Sequence, residues 1–311
     1  MLRQINSFIL SILLIGLAIV RAEENVSLTQ KLTVTLPSGD RMPVIGYGTS
    51  RIRGDDKVKE ALDHALSVGY RLFDTAEAYE NEESIGKALK ELLPKHNLTR
   101  KDIFITSKVA SRPESSGANS YISLSRSLRR LDTSYVDLYL IHSPEYWSSV
   151  AANSNVNFSE IRDLTWKQLV KGQKDGLARN IGVSNYNIDH LKELLSNDYG
   201  VKPAVNQVHW NPEYHQDDLL EFCKSNNIAL QAYFSLGGDK HKIALLDNQE
   251  VKKVADKLGK TPGQVVLRWA VQQNVLIIPK SLSRIHMIQN LDLNFQISED
   301  DMKILSNLQK S

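Results

Sequence analysis

Four polar side chains stand at or just beyond the ends of apolar, strand-like runs in the first half of this chain: Asp74 with Tyr79 in RLFDTAEAYENEESIGKAL, Lys108 in DIFITSKV and His142 in YVDLYLIHSP. Burying an unpaired charge costs several kcal/mol, so an ionisable residue that closes an apolar strand points to chemistry. Singly, each has a plain structural reading: Tyr79 as a surface aromatic, Asp74 as a cap, Lys108 reaching to solvent, His142 as a satisfied core histidine. Together they supply what reduction of a carbonyl needs. A free phenol has a pKa of about 10, too high for ready acid catalysis near neutrality. The Lys108 ammonium is expected to lower it, Asp74 to hold Lys108 charged, and His142 to hydrogen-bond a carbonyl oxygen while Tyr79 donates a proton. No side chain supplies a hydride, so this chemistry requires a nicotinamide cofactor.

For these groups to meet, the intervening chain must fold so that successive strand ends share one mouth. The pattern from Val44 onward alternates strand and helix. Strands are expected at 44–48, 71–74, 103–108, 136–142, 178–183, 204–208, 228–233 and 275–279, with helical stripes between them, the second stopped by Pro94. Lys31–Leu36 with the turn cluster Pro37-Ser38-Gly39-Asp40 reads as a β-hairpin. Two further helical stripes, near 285–291 and 302–308, end the chain. Eight strand–helix pairs suit a (β/α)8 TIM barrel, with an N-terminal hairpin cap and a C-terminal helical extension, whose catalytic groups gather at the C-terminal strand ends. An open doubly wound sheet is the competitor, but GYGTSRIRG after the first strand lacks the Gly-x-Gly-x-x-Gly fingerprint. The polar stretch 143–159 is expected to be a loop over the site.

A net charge of +2, with no basic block, argues against nucleic acid as a partner. Arg3 followed by the apolar run Phe8–Val20 and Val20-Arg21-Ala22 reads as a secretory signal peptide over 1–22, cleaved after Ala22; the run is too short for a stable membrane span. The remaining 23–311 form the barrel domain. Sequons at Asn25, Asn97 and Asn157 agree with a secreted or ER-lumenal glycoprotein. A cytoplasmic protein with a fortuitous apolar start is the alternative, and the scarcity of reduced nicotinamide cofactor outside cells favours a lumen over the extracellular space. Cys223 is the sole cysteine, so no intramolecular disulfide can form and the core must hold the fold.

FDTAEAYENEESIGKAL, ITSKV and DLYLIHSP resemble the segments of the aldo-keto reductase family that carry its catalytic tetrad, a likeness that runs from about Lys31 to the C-terminus. The resemblance implies a (β/α)8 barrel, NADPH-dependent reduction of aldehydes or ketones with Asp74, Tyr79, Lys108 and His142 as the tetrad, and a monomer that holds no metal. IGVSNY and NQVHW resemble the segments that hold the nicotinamide carboxamide, here Ser184, Asn185 and Gln207. QAYFSLG implies Tyr233 against the nicotinamide ring, with Ser235 and Leu236 beside the cofactor. IPKSLSRIHMIQN resembles the segment for the adenosine 2′-phosphate, which implies Lys280 and Ser281 there and Asn290 near adenine.

The chain departs from the family at Phe234, where serine is frequent, and at His286, where a phosphate-binding arginine is frequent, which weakens the preference for NADPH over NADH. Ser50, Ala110 and Ser143 stand where tryptophans commonly wall the substrate pocket, so a wider, more polar pocket is expected. Tyr146 and Trp147 either refill that space or pack the loop onto the barrel. Two other functions fit the same residues: a non-catalytic nucleotide-binding barrel acting as a redox sensor or accessory subunit, and an NADP⁺-dependent alcohol dehydrogenase.

Overall fold

The computed structural model describes residues 32–147, 156–197 and 199–309. The expected leader at 1–22, the Asn25 sequon and 148–155 of the polar stretch lie outside the described residues. A short antiparallel hairpin, β1 (Thr33–Thr35) and β2 (Arg41–Pro43), precedes the alternating part. Among the described residues eight parallel strands then bond in chain order: β3 (Tyr47–Gly48), β4 (Leu72–Asp74), β5 (Phe104–Val109), β6 (Val136–Ile141), β7 (Ala178–Ser184), β8 (Val205–His209), β9 (Ala229–Tyr233) and β10 (Leu276–Ile277). The first and last are joined through Gly46 N–H to Ile277 O (2.8 Å) and Ile277 N–H to Val44 O (2.9 Å), which closes the cylinder. The expected first and last strands therefore exist as short pieces: the chain bends away on either side of this seam.

Helices α1 (Asp55–Val68), α2 (Glu82–Lys95), α3 (Ser120–Arg130), α4 (Phe158–Lys174), α5 (Ile188–Ser196) and α6 (Asp217–Ser225) return the chain between strands. After β9 come α7 (Gly238–Asp247), α8 (Gln249–Leu258) and α9 (Pro262–Gln272), and after β10 come α10 (Arg284–Leu291) and α11 (Glu299–Ser306). Each apolar helical stripe faces the strands. On α1, Val58, Ala61, Leu62, Ala65 and Leu66 are buried, and Gly69 stops the helix at φ 102°, a conformation that favours glycine. Pro94 does not stop α2, which runs one residue further; the His96 N–H then closes the end on the Leu92 and Leu93 carbonyls.

Inward residues alternate along the strands. Leu72, Phe104, Leu138, Leu140, Val205, Leu276 and Ile278 fill the lower barrel with Leu36 and Met42 of the hairpin, so the bottom is plugged by apolar packing. At Gly182 even a methyl group would meet Val205 O at 2.5 Å, a measure of how little room the interior leaves. The layer above the plug is polar: Asp74, Lys108, Ser184, Gln207 and Gln231 are each at most 1% exposed. At the far end α11 is tied to the barrel by the Trp269 indole N–H, which donates to Ser306 Oγ (3.0 Å).

Candidate active site

Asp74 ends β4 and lies in register with Thr106 of β5; Lys108 sits two residues further along β5, opposite Leu140 of β6. Tyr79 reaches them from a single tight turn, Glu77–Tyr79, that follows β4. That turn is anchored by Asn81, whose side-chain amide donates to Thr49 O (2.9 Å) and Ile52 O (3.0 Å) and accepts from Thr75 Oγ1 (2.7 Å). Lys108 Nζ donates to Asp74 Oδ1 (2.6 Å), Thr75 O (2.9 Å) and Tyr79 Oη (3.3 Å). His142, one residue past β6, stands edge-on to the Tyr79 ring with centroids 5.6 Å apart. Four groups spread over 69 positions thus meet at the C-terminal mouth of the barrel, as the strand-end argument requires.

Electrostatics sets their protonation. Burial raises the Tyr79 phenol; the Lys108 charge pulls it down but does not prevail, and the net shift is upward. The expected lowering by Lys108 is present only as the weaker of two opposing effects. Burial alone works against the Lys108 ammonium, but Asp74 and Tyr79 outweigh it and hold Lys108 above its ordinary value. Burial, helped by the Lys108 charge, pushes His142 down to about 3, so its imidazole is neutral at physiological pH.

Asp74, Tyr79 and His142 line a cleft of about 360 Å³ whose walls include Ser50, Trp147, Ser184, Asn185, Gln207, Tyr233, Ser235, Leu236 and Lys280. Gln207 Nε2 donates to Asp74 Oδ2 (2.8 Å), Ser184 Oγ donates to Gln207 O (2.7 Å), and Tyr233 Oη donates to Asn185 Oδ1 (2.6 Å). Asn185 sits at φ 62°, which asparagine tolerates, and its amide also donates to His142 O (2.8 Å). A second cavity of about 430 Å³ is lined by Lys280, Ser281, His286 and Asn290, and shares Leu236 and Lys280 with the first. The donors fit a phosphorylated nicotinamide dinucleotide: neutral amide and hydroxyl groups with an aromatic face at one end, and an ammonium, a hydroxyl and an imidazole at the other. Among the described residues no cluster of His, Cys, Asp and Glu is arranged to hold a metal ion.

The residues expected along the substrate wall take different places. Ser50 lines the cleft, whereas Ala110 and Ser143 do not. Ala110 is buried, with its N–H on Glu77 Oε2 (3.1 Å), and Ser143 is clamped through its own N–H and C=O by Ser111 Oγ (2.8 and 2.9 Å). The two aromatic residues of the next loop divide between the two alternatives. Trp147 lines the cleft edge-on to His142 (5.4 Å), and Tyr146 packs edge-on against Phe158 (5.4 Å). Arg51 also lines the cleft and was not expected; its φ of 65° follows from the turn after β3, which the string TSRIRG does not announce. Gln231 was missed too. Its Oε1 accepts from Gln207 Nε2 (2.7 Å), and the available signal was a polar residue two before Tyr233 on the same inward face.

The model of the Aldo/keto reductase family matches residues 44–310. A glyoxal reductase of Bacillus subtilis is 38% identical over 90% of this chain and 94% of its own length. Estradiol 17 beta-dehydrogenase 5 of Mus musculus is 35% identical over 91% and 93%. Among solved structures, a Bombyx mori aldo-keto reductase in complex with NADP superposes with a TM-score of 0.80 at 30% identity, covering 89% of this chain and 92% of that one. With the strand order, the mouth of the barrel and these likenesses in agreement, the chain belongs to the aldo/keto reductase family.

Proposed function

We infer that the cleft reduces aldehydes or ketones to alcohols with NADPH, Tyr79 acting as the general acid. The observation that carries the reading is the bonded chain Tyr79–Lys108–Asp74 opening into the same cleft as Ser184, Asn185, Gln207 and Tyr233. Lys280, Ser281, His286 and Asn290 would hold the adenosine phosphate end, and the other four the nicotinamide end. When bound, NADPH supplies the hydride that no side chain here can provide.

The chain's own residues handle the proton. The raised phenol keeps Tyr79 protonated at neutral pH, ready to donate as the carbonyl oxygen gains charge. Lys108, 3.3 Å away, stabilises the phenolate left behind, an interaction stronger in the transition state than before it. Asp74 and Thr75 O keep Lys108 aimed. Neutral His142, whose Nδ1 is buried without a partner, orients the carbonyl oxygen through Nε2–H.

The test is NADPH oxidation over a panel of aldehydes, ketones, sugars and steroids, with NADH and NADP⁺-dependent alcohol oxidation in parallel. Turnover with aldehydes and NADPH is expected. NADPH binding with none of it consumed against any carbonyl would favour the sensor reading instead.

Location in the secretory pathway belongs to the same reading. Its support is the apolar start of the sequence and two exposed sequon asparagines, Asn97 in the turn after α2 and Asn157 at the N-cap of α4. Asn157 uses Oδ1 to cap Glu160 N–H, which leaves Nδ2 to carry a glycan. Protein made in secretory cells is expected to begin after Ala22 and to shift in mass on deglycosylation. A chain that starts at Met1 and shows no shift would remove the claim.

A further inference from the structure

Behind Tyr233 stands a column of rings. His209 ends β8 in register with Tyr233 on β9, and the two rings stack at 5.8 Å and 16°. Tyr214 also stacks on His209, at 4.3 Å and 14°. The tight turn that brings Tyr214 there is closed by Asn211 N–H to Tyr214 O (2.8 Å) and Tyr214 N–H to Asn211 O (2.9 Å). Phe234 stands edge-on to both His209 (5.5 Å, 86°) and Tyr233 (5.1 Å, 76°) from a left-handed backbone at φ 52°. A bulky residue at that φ is strained, so the surrounding contacts must hold it there.

The His209 ring is held by its neighbour. Asn211 Oδ1 accepts from Glu213 N–H (2.9 Å) and its Nδ2 donates to Phe234 O (3.2 Å). Both partners are backbone groups of fixed polarity, so the amide cannot be turned around. The same Nδ2 lies 3.0 Å from His209 Nε2, which must therefore offer a lone pair. His209 thus packs as a flat ring against two phenols, with Nε2 held by the Asn211 amide.

Tyr233 is thus fixed at three places: one face by His209, its edge by Phe234 and its hydroxyl by Asn185. The remaining side borders the cleft. We propose that His209 and Tyr214 are positioning residues for hydride transfer: through the stack they set the plane of Tyr233 against which the nicotinamide lies. The proposal rests on the NADPH-dependent reading above and adds to it two residues that touch neither substrate nor cofactor.

The experiment compares His209→Leu, which removes the ring, with His209→Phe, which keeps it, in the full chain. NADPH affinity is measured by fluorescence titration, kcat with 4-nitrobenzaldehyde, and folding by thermal melting. Aromatic pairing of this kind corresponds to about a tenfold change in affinity. His209→Leu is expected to weaken NADPH binding and lower kcat by about that factor, while His209→Phe stays within about threefold of wild type. Wild-type behaviour in His209→Leu, or equal impairment in both variants, would overturn the proposal. Should His209→Leu fail to fold, Tyr214→Ala replaces it, since that ring is 48% exposed; a rise of about threefold in NADPH Kd supports the column and no change sinks it. Wild-type protein that does not bind NADPH takes down the functional reading as well, whereas wild-type binding matched by every variant takes down the column alone.

Discussion

Tyr79→Phe is expected to lower kcat by about 10²–10⁴ while NADPH Kd stays within about threefold, since a general acid contributes that much and the phenol is not part of the phosphate-binding end. Phenylalanine keeps the ring that packs edge-on to His142, so the fold and the cleft shape persist while only the transferable proton is lost. The wild-type pH profile carries the same assignment. Burial raises the phenol, so the acid form remains as pH rises to about 9. His142 is pushed down to about 3, so it gains no proton on the acid side until far below neutrality. The kcat/KM for reduction is therefore expected to be level between about pH 5 and about pH 9 and to fall only beyond that. An inflection at about pH 6.5 that persists in His286→Gln at saturating NADPH would reject the neutral role given to His142.

Lys108→Met should cost both activity and stability. Lys108 is 0% and Asp74 1% exposed, and removing one partner of so deeply buried a pair strands the other charge. The expected destabilisation is about 3–5 kcal/mol, read as a lower denaturant midpoint. Turnover falls as well, because nothing then stabilises the phenolate of Tyr79. Adding Asp74→Asn removes the stranded carboxylate, so the double variant should regain much of the lost stability and none of the turnover. If the single variant keeps its midpoint, the pair is not buried as described. Recovery of activity in the double variant would mean that charge balance, not the Lys108–Tyr79 contact, is what catalysis needs.

The parts of this molecule that obey local rules were legible in the chain. Period-two and period-3.6 apolar patterns named the strands and helices, and four polar residues at strand ends named the barrel mouth. What depended on distant partners was not. Strands β3 and β10 are shorter than their apolar runs, and the bonds that join them across the seam between 44–48 and 277–279 link distant parts of the chain. Helix α7 was not foreseen, since its glycine-rich start reads as a loop. Ala110 and Ser143 were placed at the pocket by the family resemblance, whereas their hydrogen bonds to Glu77 and Ser111 could not be read from the chain. The stack of Tyr214, His209 and Tyr233 joins residues five and twenty-four positions apart, and no periodicity links them.

Cys223 is fully buried, and burial pushes its thiol up to about 11. Thiolate is the nucleophile that attacks peroxides and disulfides, and at neutral pH this sulfur offers almost none of it and no access either. With no second cysteine, no intramolecular disulfide can trap a wrong topology during refolding. In a sulfhydryl-oxidising environment the folded chain therefore stands on its packing alone, with its one sulfur shielded.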